Sequence, residues 1–385
     1  MTVMRKLTAA MLFGVVISLY PTSKAKAASF SFTKIADTTS SAFSAPFYQF
    51  VSPAINNEGT VAFRSISAAG DSIFISNGGT ITTIADTSGS FGFLGSFSIN
   101  NSGTVAFQAG LKGGVVNGVG PGVGIYTNNG GSLTTISFDA GAGSVLVSRP
   151  SINDSGTVAF ADNRFGDIYI GNGGPPTLIA DANGGNPVIN NQGTVSVVLP
   201  GASLVTRNGG VTTTITDTSG SFASLSGDGS PINNEGTVAL RAFLRSGGQG
   251  IYTGNGGPLT TIADTSGSFS GFVGTPAIND EATVAFFASL DGGGSGIFTG
   301  SDPVVNKIIG TGDTLFGSTV ITVGDSNPQT LNNRGQIAFT AALADGTRGV
   351  YVATPVPEPL TIAGSGLALA GLVLFKRRQQ QNKAN

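Results

Sequence analysis

Residues 55–63 read Ile55-Asn56-Asn57-Glu58-Gly59-Thr60-Val61-Ala62-Phe63. A turn signal is followed at once by a strand signal. Asn tolerates left-handed backbone and bonds to nearby amides, and Gly supplies positive φ without a Cβ clash. In Thr60-Val61-Ala62-Phe63 large and small side chains alternate, so Val61 and Phe63 share one face while Ala62 leaves room on the other. A strand of this kind is suited to burial on both faces, between neighbouring sheets.

The phrase recurs. Related versions begin at Ile99, Ile152, Ile189, Ile232, Ile278 and Leu331, giving seven copies at spacings of 44, 53, 37, 43, 46 and 53 residues. Each contributes one leading Asn, at positions 56, 100, 153, 190, 233, 279 and 332. A second phrase, Gly-Ile-Tyr or a variant, ends at Phe74, Tyr126, Tyr169, Val205, Tyr252, Phe298 and Tyr351. A third, Ile-Ala-Asp-Thr or a degenerate form, starts at Ile35, Ile84, Ile136, Ile179, Ile215 and Ile262, with Gly312-Asp313-Thr314 as its seventh. Turns such as Asn77-Gly78-Gly79 and Asn255-Gly256-Gly257 join the second phrase to the third, and a less regular strand, such as 91–98 or 269–276, precedes each Ile-Asn.

Four short antiparallel strands in about 45 residues make one propeller blade, so the pattern predicts an all-β chain with a seven-bladed β-propeller over 28–354. The ends of the array predict how it closes. Lys34-Ile35-Ala36-Asp37-Thr38 precedes the first complete unit, and the last unit stops after Gly349-Val350-Tyr351 without that phrase. An N-terminal strand completing the last blade would remove the exposed edges. A β-solenoid or a row of small sandwiches is the competing architecture.

Outside the repeats both ends read as addresses. Arg5 and Lys6 precede an apolar run from Leu7 to Tyr20, and Ala25-Lys26-Ala27 offers the small residues of a cleavage site before Ala28. This predicts a removable signal peptide over 1–27, with a membrane anchor as the competing reading. At the other end Pro357-Glu358-Pro359 opens the segment 355–385, with an apolar stretch over 360–375 and then Lys376-Arg377-Arg378. Sixteen helical residues at ~1.5 Å each reach ~24 Å, short of a ~30 Å hydrocarbon core but workable with snorkelling basic residues. The basic cluster predicts a cytoplasmic terminus with the bulk of the chain outside.

This order of features resembles the PEP-CTERM sorting signal of bacterial surface proteins. The resemblance implies recognition of Pro357, Glu358 and Pro359 by an exosortase-type enzyme. It also implies a transmembrane helix that holds the chain at the inner membrane only transiently; at the N-terminus the pattern predicts that signal peptidase reads Ala25 and Ala27 and cuts between Ala27 and Ala28. The repeats resemble those of choice-of-anchor tandem-repeat proteins, whose units carry Asn-x-x-Gly-x-x-Ala-Phe-like phrases. That resemblance spans 29–354 and implies export to the cell surface, with no activity attached. The chain departs from the pattern at Ala282 in place of Gly, at Val197 and Leu240 in place of Phe, and at Leu204-Val205 in place of Ile-Tyr. These departures predict that blade four is irregular or short.

Composition limits the chemistry. The 385 residues include no His, no Cys and no Trp, and only 10% are charged. An imidazole base, a thiolate nucleophile, a disulfide and a thiolate zinc site are all excluded, which points away from an enzyme. The seven aspartates of the third phrase, Asp37, Asp86, Asp139, Asp181, Asp217, Asp264 and Asp313, could form a rim able to hold Ca²⁺. The plainer reading is that each caps its own turn, since a structural role recurs in every repeat and a catalytic one need not. The leading asparagines invite the same comparison and the same answer. No other cofactor is indicated.

Asp162, Asp167, Asp228, Asp291 and Asp325 fall outside the repeat register and are the candidates for a carboxylate pair that hydrolyses glycosides. No complete G-x-G-x-x-G or phosphate-binding loop occurs, and no basic patch lies outside the two ends, which excludes nucleotide and nucleic-acid partners. Between 28 and 354 there are 11 basic and 20 acidic residues, so the exported body carries a net charge of −9 although the whole chain carries −2. The leading expectation is a structural or adhesive component of the cell surface or extracellular matrix, meeting exopolysaccharide or surface proteins. The alternative is a propeller that binds or processes glycans.

Overall fold

In a computed structural model of the full-length chain, residues 29–40, 43, 49–68, 70–113, 122–139, 149–162, 166–180, 185–227, 229–324 and 327–357 are described. They form seven antiparallel sheets in sequence order, the blades of a β-propeller. The expected signal peptide and the apolar stretch 360–375 lie outside the described residues. Among the described residues no helix is long and apolar enough to cross a membrane.

Blade one shows the plan. An inner strand Gln49–Ile55 lies beside Val61–Ser67, then Gly70–Ser76, then the outer strand Thr82–Asp86. The placement of the turns follows from this meander. Turns after the first and third strands lie at one end of the blade, and those after the second and fourth at the other. The Asn-x-x-Gly turns therefore share a face with the Gly-Gly turns, while the ends of the Ile-Ala-Asp strands point to the opposite face.

Six of the seven repeats carry Pro within three residues before their Ile or Leu, in the inner strand or just outside it: Pro53, Pro150, Pro187, Pro231, Pro276 and Pro328. The inner edge borders the channel and needs no further ladder partner, which is where a residue without N–H is tolerated.

Packing between blades uses the large-small alternation of the first phrase. Val61 and Phe63 of blade one pack with Ala338 of blade seven, while Ala62 packs with Val105 and Phe107 of blade two. Ala106 then meets Val158 and Phe160, and Ala239 meets Val284 and Phe286. Each blade inserts its large pair beside the small residue of the blade before it, and all of these side chains are buried.

Gly-Ile-Tyr has its own geometry. The register slips by one residue between Ile and the aromatic, for example at Ile125/Tyr126 and Ile251/Tyr252. The tyrosine ring folds back over the Gly two residues earlier. A Cβ on Gly124, Gly250 or Gly349 would lie 2.9, 2.6 and 2.8 Å from the hydroxyl of Tyr126, Tyr252 and Tyr351.

Closure follows the expectation from the array ends. The N-terminal strand Phe30–Asp37 pairs antiparallel with the last strand Arg348–Pro355, Phe30 opposite Pro355 and Asp37 opposite Gly349. Blade seven also departs from the repeat. A hairpin pairs Thr314–Leu315 with the start of the inner strand Ser318–Gly324, making the sheet five-stranded.

Blade four corrects an expectation. It has all four strands, and Leu204-Val205 keeps the register slip of the other blades. Its two-residue inner strand Val188–Ile189 is matched by Ser151–Ile152 in blade three. Leu and Val fill the place of Ile and Tyr because both are apolar and β-compatible, so the change is absorbed as packing.

Candidate functional site

The axial mouth on the Asn-turn face is the most organised polar feature among the described residues. Each leading Asn builds its own turn. Asn56 N–H donates to Thr60 O at 3.0 Å, Gly59 N–H returns to Asn56 O at 3.0 Å, and Asn56 Oδ1 accepts from Thr60 N–H at 2.8 Å. The other half of the amide leaves the blade: Asn56 Nδ2 donates to the carbonyl of Asn100 in blade two at 2.9 Å.

This link is repeated around the axis. Asn100 donates to Asn153, Asn153 to Asn190, Asn190 to Asn233, Asn233 to Asn279 and Asn279 to Asn332, at 3.1, 3.2, 2.9, 3.0 and 3.3 Å. Asn332 donates to Asn56 at 2.9 Å, so the seven asparagines form a closed ring of buried hydrogen bonds. Turn capping, the expected role, accounts for Oδ1, whereas Nδ2 joins the blades.

The residue after each of these asparagines forms a second ring, which the sequence pattern does not announce. Backbone N–H groups of Asn57, Asn101, Asp154, Asn191, Asn234, Asp280 and Asn333 each donate to the side-chain Oδ1 of the next member, at 2.8 to 3.0 Å. The two aspartates accept further. Asp154 Oδ2 takes the amides of Asn101 at 2.7 Å and Asn191 at 2.6 Å, and Asp280 Oδ2 takes those of Asn234 at 2.9 Å and Asn333 at 2.6 Å. One signal could have found it: this position is Asn or Asp in all seven copies.

Inside the rings lies a cavity of about 130 Å³, floored by Ile55, Ile99, Ile152 and Ile278. Gln329 of blade seven, which also lines it, reaches Ile99 N–H of blade two at 3.0 Å. A separate cavity of about 10 Å³ lies beside Gln329, next to the buried Phe97. The mouth thus offers amides and two carboxylates already engaged with each other, a set suited to hydrogen bonding rather than to nucleophilic or acid–base chemistry.

The third-phrase aspartates lie elsewhere, at the ends of outer strands on the opposite face. Asp86 accepts from Ser88 N–H at 2.8 Å and from its hydroxyl, Asp217 from Ser219 N–H and Oγ at 2.8 and 2.5 Å, and Asp264 from Ser266 N–H and Oγ at 2.9 and 2.5 Å. These bonds, led by the serine hydroxyl in each case, hold all three carboxyls below the usual range. Asp37 is buried, which pushes its carboxyl up, but Lys34 at 2.6 Å and the hydroxyl and amide of Thr39 outweigh this and leave it lowered. Asp313 accepts from Lys307 Nζ at 2.7 Å and Gly310 N–H at 2.8 Å.

The described members therefore cap their own turns, one per blade, and are not brought together. The side chain of Asp139 and the whole of Asp181 lie outside the described residues. Among the described residues no three acidic side chains gather into a metal-binding group.

The described acids outside the repeat register do not form one site either. Asp162 and Asp167 face each other across neighbouring strands of blade three, and Asp291 is exposed at a turn of blade six. Asp228 and Asp325 lie outside the described residues. So do Glu358, Pro359, Lys376, Arg377 and Arg378 of the sorting segment and Ala25, Ala27 and Ala28 of the cleavage site; Pro357 is exposed at the end of the described chain.

A family model matches residues 22–321 and 314–363. The chain belongs to DUF7453, a family of unknown function. No curated protein matches this DUF7453 chain in sequence. Among solved structures, a catalytically inactive virginiamycin B lyase from Staphylococcus aureus with quinupristin is similar, at 10% identity over 85% of this chain and 100% of that one, with a TM-score of 0.50. YCF48 from Cyanidioschyzon merolae is 11% identical over 80% of this chain and 98% of that one, with a TM-score of 0.41. An acylaminoacyl peptidase from Pyrococcus horikoshii is 10% identical over 76% and 50%, with a TM-score of 0.49. At such identities the first likeness concerns the fold alone.

Proposed function

We propose that this DUF7453 chain is an exported surface protein with a structural or adhesive role, delivered by a signal peptide and sorted at its C-terminus by a PEP-CTERM system. Its processing partners are then signal peptidase and an exosortase-type enzyme, and its contacts at the surface are exopolysaccharide or other surface proteins. The observation that supports a scaffold over an enzyme is the double ring at the axial mouth. Its polar groups are engaged in holding blade to blade, and without His or Cys the chain has no imidazole or thiolate to place there. Such a disc is fastened without disulfides and presents its loops on two faces, which suits display and contact.

Fractionation of the producing cell tests the sorting part. Replacement of Pro357, Glu358 and Pro359 by alanine is expected to leave unprocessed protein in the inner membrane, and unchanged release to the surface would overturn it. A deletion strain scored for aggregation and biofilm tests the adhesive part; wild-type behaviour in both assays would count against it.

A further inference from the structure

Blade one breaks the repeat at one place. In blades two, five, six and seven, the second strand carries Ala109, Ala242, Ala288 and Ala341 opposite Gly124, Gly250, Gly296 and Gly349 of the third. In three of these blades the tyrosine hydroxyl lies over the Gly. In blade one the same pair is Ser65 opposite Ser72, and the aromatic is Phe74, which has no hydroxyl. The ground that Tyr126, Tyr252 and Tyr351 occupy in their blades is left open here, as a cavity of about 250 Å³.

Its lining is polar and acidic. Ser65 is 2% exposed and its Oγ has no hydrogen-bond partner, a cost that blades two, five, six and seven avoid with Ala and blade four with Leu199. Asp86 lies opposite Ser72 on the next strand, and Asp71 borders the same space; among the described residues no Lys or Arg lines it, and the nearby Lys112, whose Nζ donates to Ser88 O at 3.2 Å, acts on Asp86 from its rim. The counterparts of Asp71 are Val123, Gln249, Ser295 and Arg348, so among these blades a negative charge at this place is particular to blade one. Phe74, half-buried, supplies an apolar wall and is itself braced edge-on by Phe43 at 5.5 Å.

We infer that this cavity is a binding site for a hydroxylated ring bearing a primary ammonium, the chemistry of a non-acetylated amino sugar. The ammonium is met by the carboxylates of Asp71 and Asp86, a ring hydroxyl completes Ser65 Oγ, and the apolar ring face lies against Phe74. A lysine side chain carries the same ammonium without the hydroxyls, so the two sources differ at Ser65. The inference goes beyond the scaffold role and stands apart from it, because sorting is read in cells and this site is read on purified protein.

The test is titration calorimetry, with saturation-transfer NMR, of the full-length chain against glucosamine, glucose and butylamine. Glucosamine is expected to bind, with glucose and butylamine each weaker by about tenfold or more. Asp71→Asn should weaken glucosamine about tenfold. Ser65→Ala should weaken it while raising the melting temperature of the free protein, since an orphaned buried hydroxyl is removed. The pair Ser72→Gly with Phe74→Tyr restores the Gly and Tyr of blades two and five, and should leave a folded protein without the site. Absence of glucosamine binding, equal binding of either control, or binding that survives in the rebuilt blade would each overturn the inference.

Discussion

Asn332 in the last repeat donates its side-chain amide to the carbonyl of Asn56 in the first at 2.9 Å, across 276 residues of chain. This bond closes the ring that six others build, and the same side chain accepts from Arg334 and Gln336 N–H at 3.0 and 2.9 Å. Asn332→Ala would orphan buried backbone groups in two blades. The expected loss is about 2 kcal/mol or more, from the cost of unsatisfied buried polar atoms. Asn191 is an exposed member of the second ring, where water can replace a partner, so Asn191→Ala should cost roughly a quarter as much. Chemical denaturation of both variants reads the difference; equal losses would argue against the buried ring as the stronger fastening.

The N-terminal strand makes the second closure. Removing residues 29–37 strips the outer partner from Arg348–Pro355 and opens a path to Val350, Tyr351 and Val352, which are all buried in the intact ring. An unprotected apolar edge templates pairing between molecules. The truncated chain is expected to melt lower and to elute as aggregates from a sizing column. A monomer with an unchanged melt would show that the first-to-last asparagine bond suffices alone.

Much of this architecture is legible because a propeller repeats its chemistry. The turn in Asn56 to Thr60, the strand in Val61 to Phe63 and the missing outer strand after Tyr351 are local facts, and local facts set the blade count and its closure. The outward half of each asparagine amide is not legible, since its partner is 37 to 53 residues away, or 276 at the closure, and only the juxtaposition of blades defines it. The hairpin at Thr314–Leu315 leaves no trace in the pattern because the other repeats carry no matching phrase. Ser65, Ser72 and Phe74 read as ordinary variation until strand register sets them against Ala109, Gly124 and Tyr126. Leu204 and Val205 look like a break in the repeat, yet their apolar character satisfies the same packing.

Gly250 tests why the second phrase needs glycine. A Cβ there would sit 2.6 Å from the Tyr252 hydroxyl and 2.7 Å from its Cζ, while the ring is already held edge-on by Phe222 at 5.2 Å. Gly250→Ala should therefore cost about 1–3 kcal/mol as overpacking. Blade four carries Ser203 and Val205 at these places, so Tyr252→Val should make room. In a double-mutant cycle the alanine is expected to cost about 1 kcal/mol less when combined with Tyr252→Val, and strict additivity would refute the clash.

Acid should act on the closure through Asp37. Its carboxyl is held below the ordinary value of 3.8: burial opposes ionisation, but Lys34 and Thr39 more than compensate. A group with a depressed folded pKa contributes stability above its unfolded pKa and loses it as pH falls through the folded one. The wild type is therefore expected to lose stability as pH drops below about 4, and Asp37→Asn should be less stable at neutral pH with a shallower acid slope. Melting curves from about pH 7 to about pH 3 check this, and parallel slopes for the two proteins would exclude Asp37 as a contributor.

Ala282 is the one departure from Gly in the seven Asn turns, and the backbone does not adapt to it. Its φ is +59°, in the left-handed region where Gly59, Gly103, Gly156, Gly193, Gly236 and Gly335 also lie. An L-residue there costs about 1–2 kcal/mol, partly offset by the smaller entropy it loses on folding. The turn is intact, with Ala282 N–H on Asn279 O at 3.0 Å and Asn279 Oδ1 on Thr283 N–H at 2.9 Å, so the strain is borne by the surrounding bonds. Ala282→Gly should stabilise the protein by roughly 0.5–1 kcal/mol. The reverse change at an equivalent position, Gly236→Ala, should destabilise it by a similar amount, and both are read from the denaturation midpoint. If neither variant moves the midpoint, backbone strain at this turn is not what selects glycine.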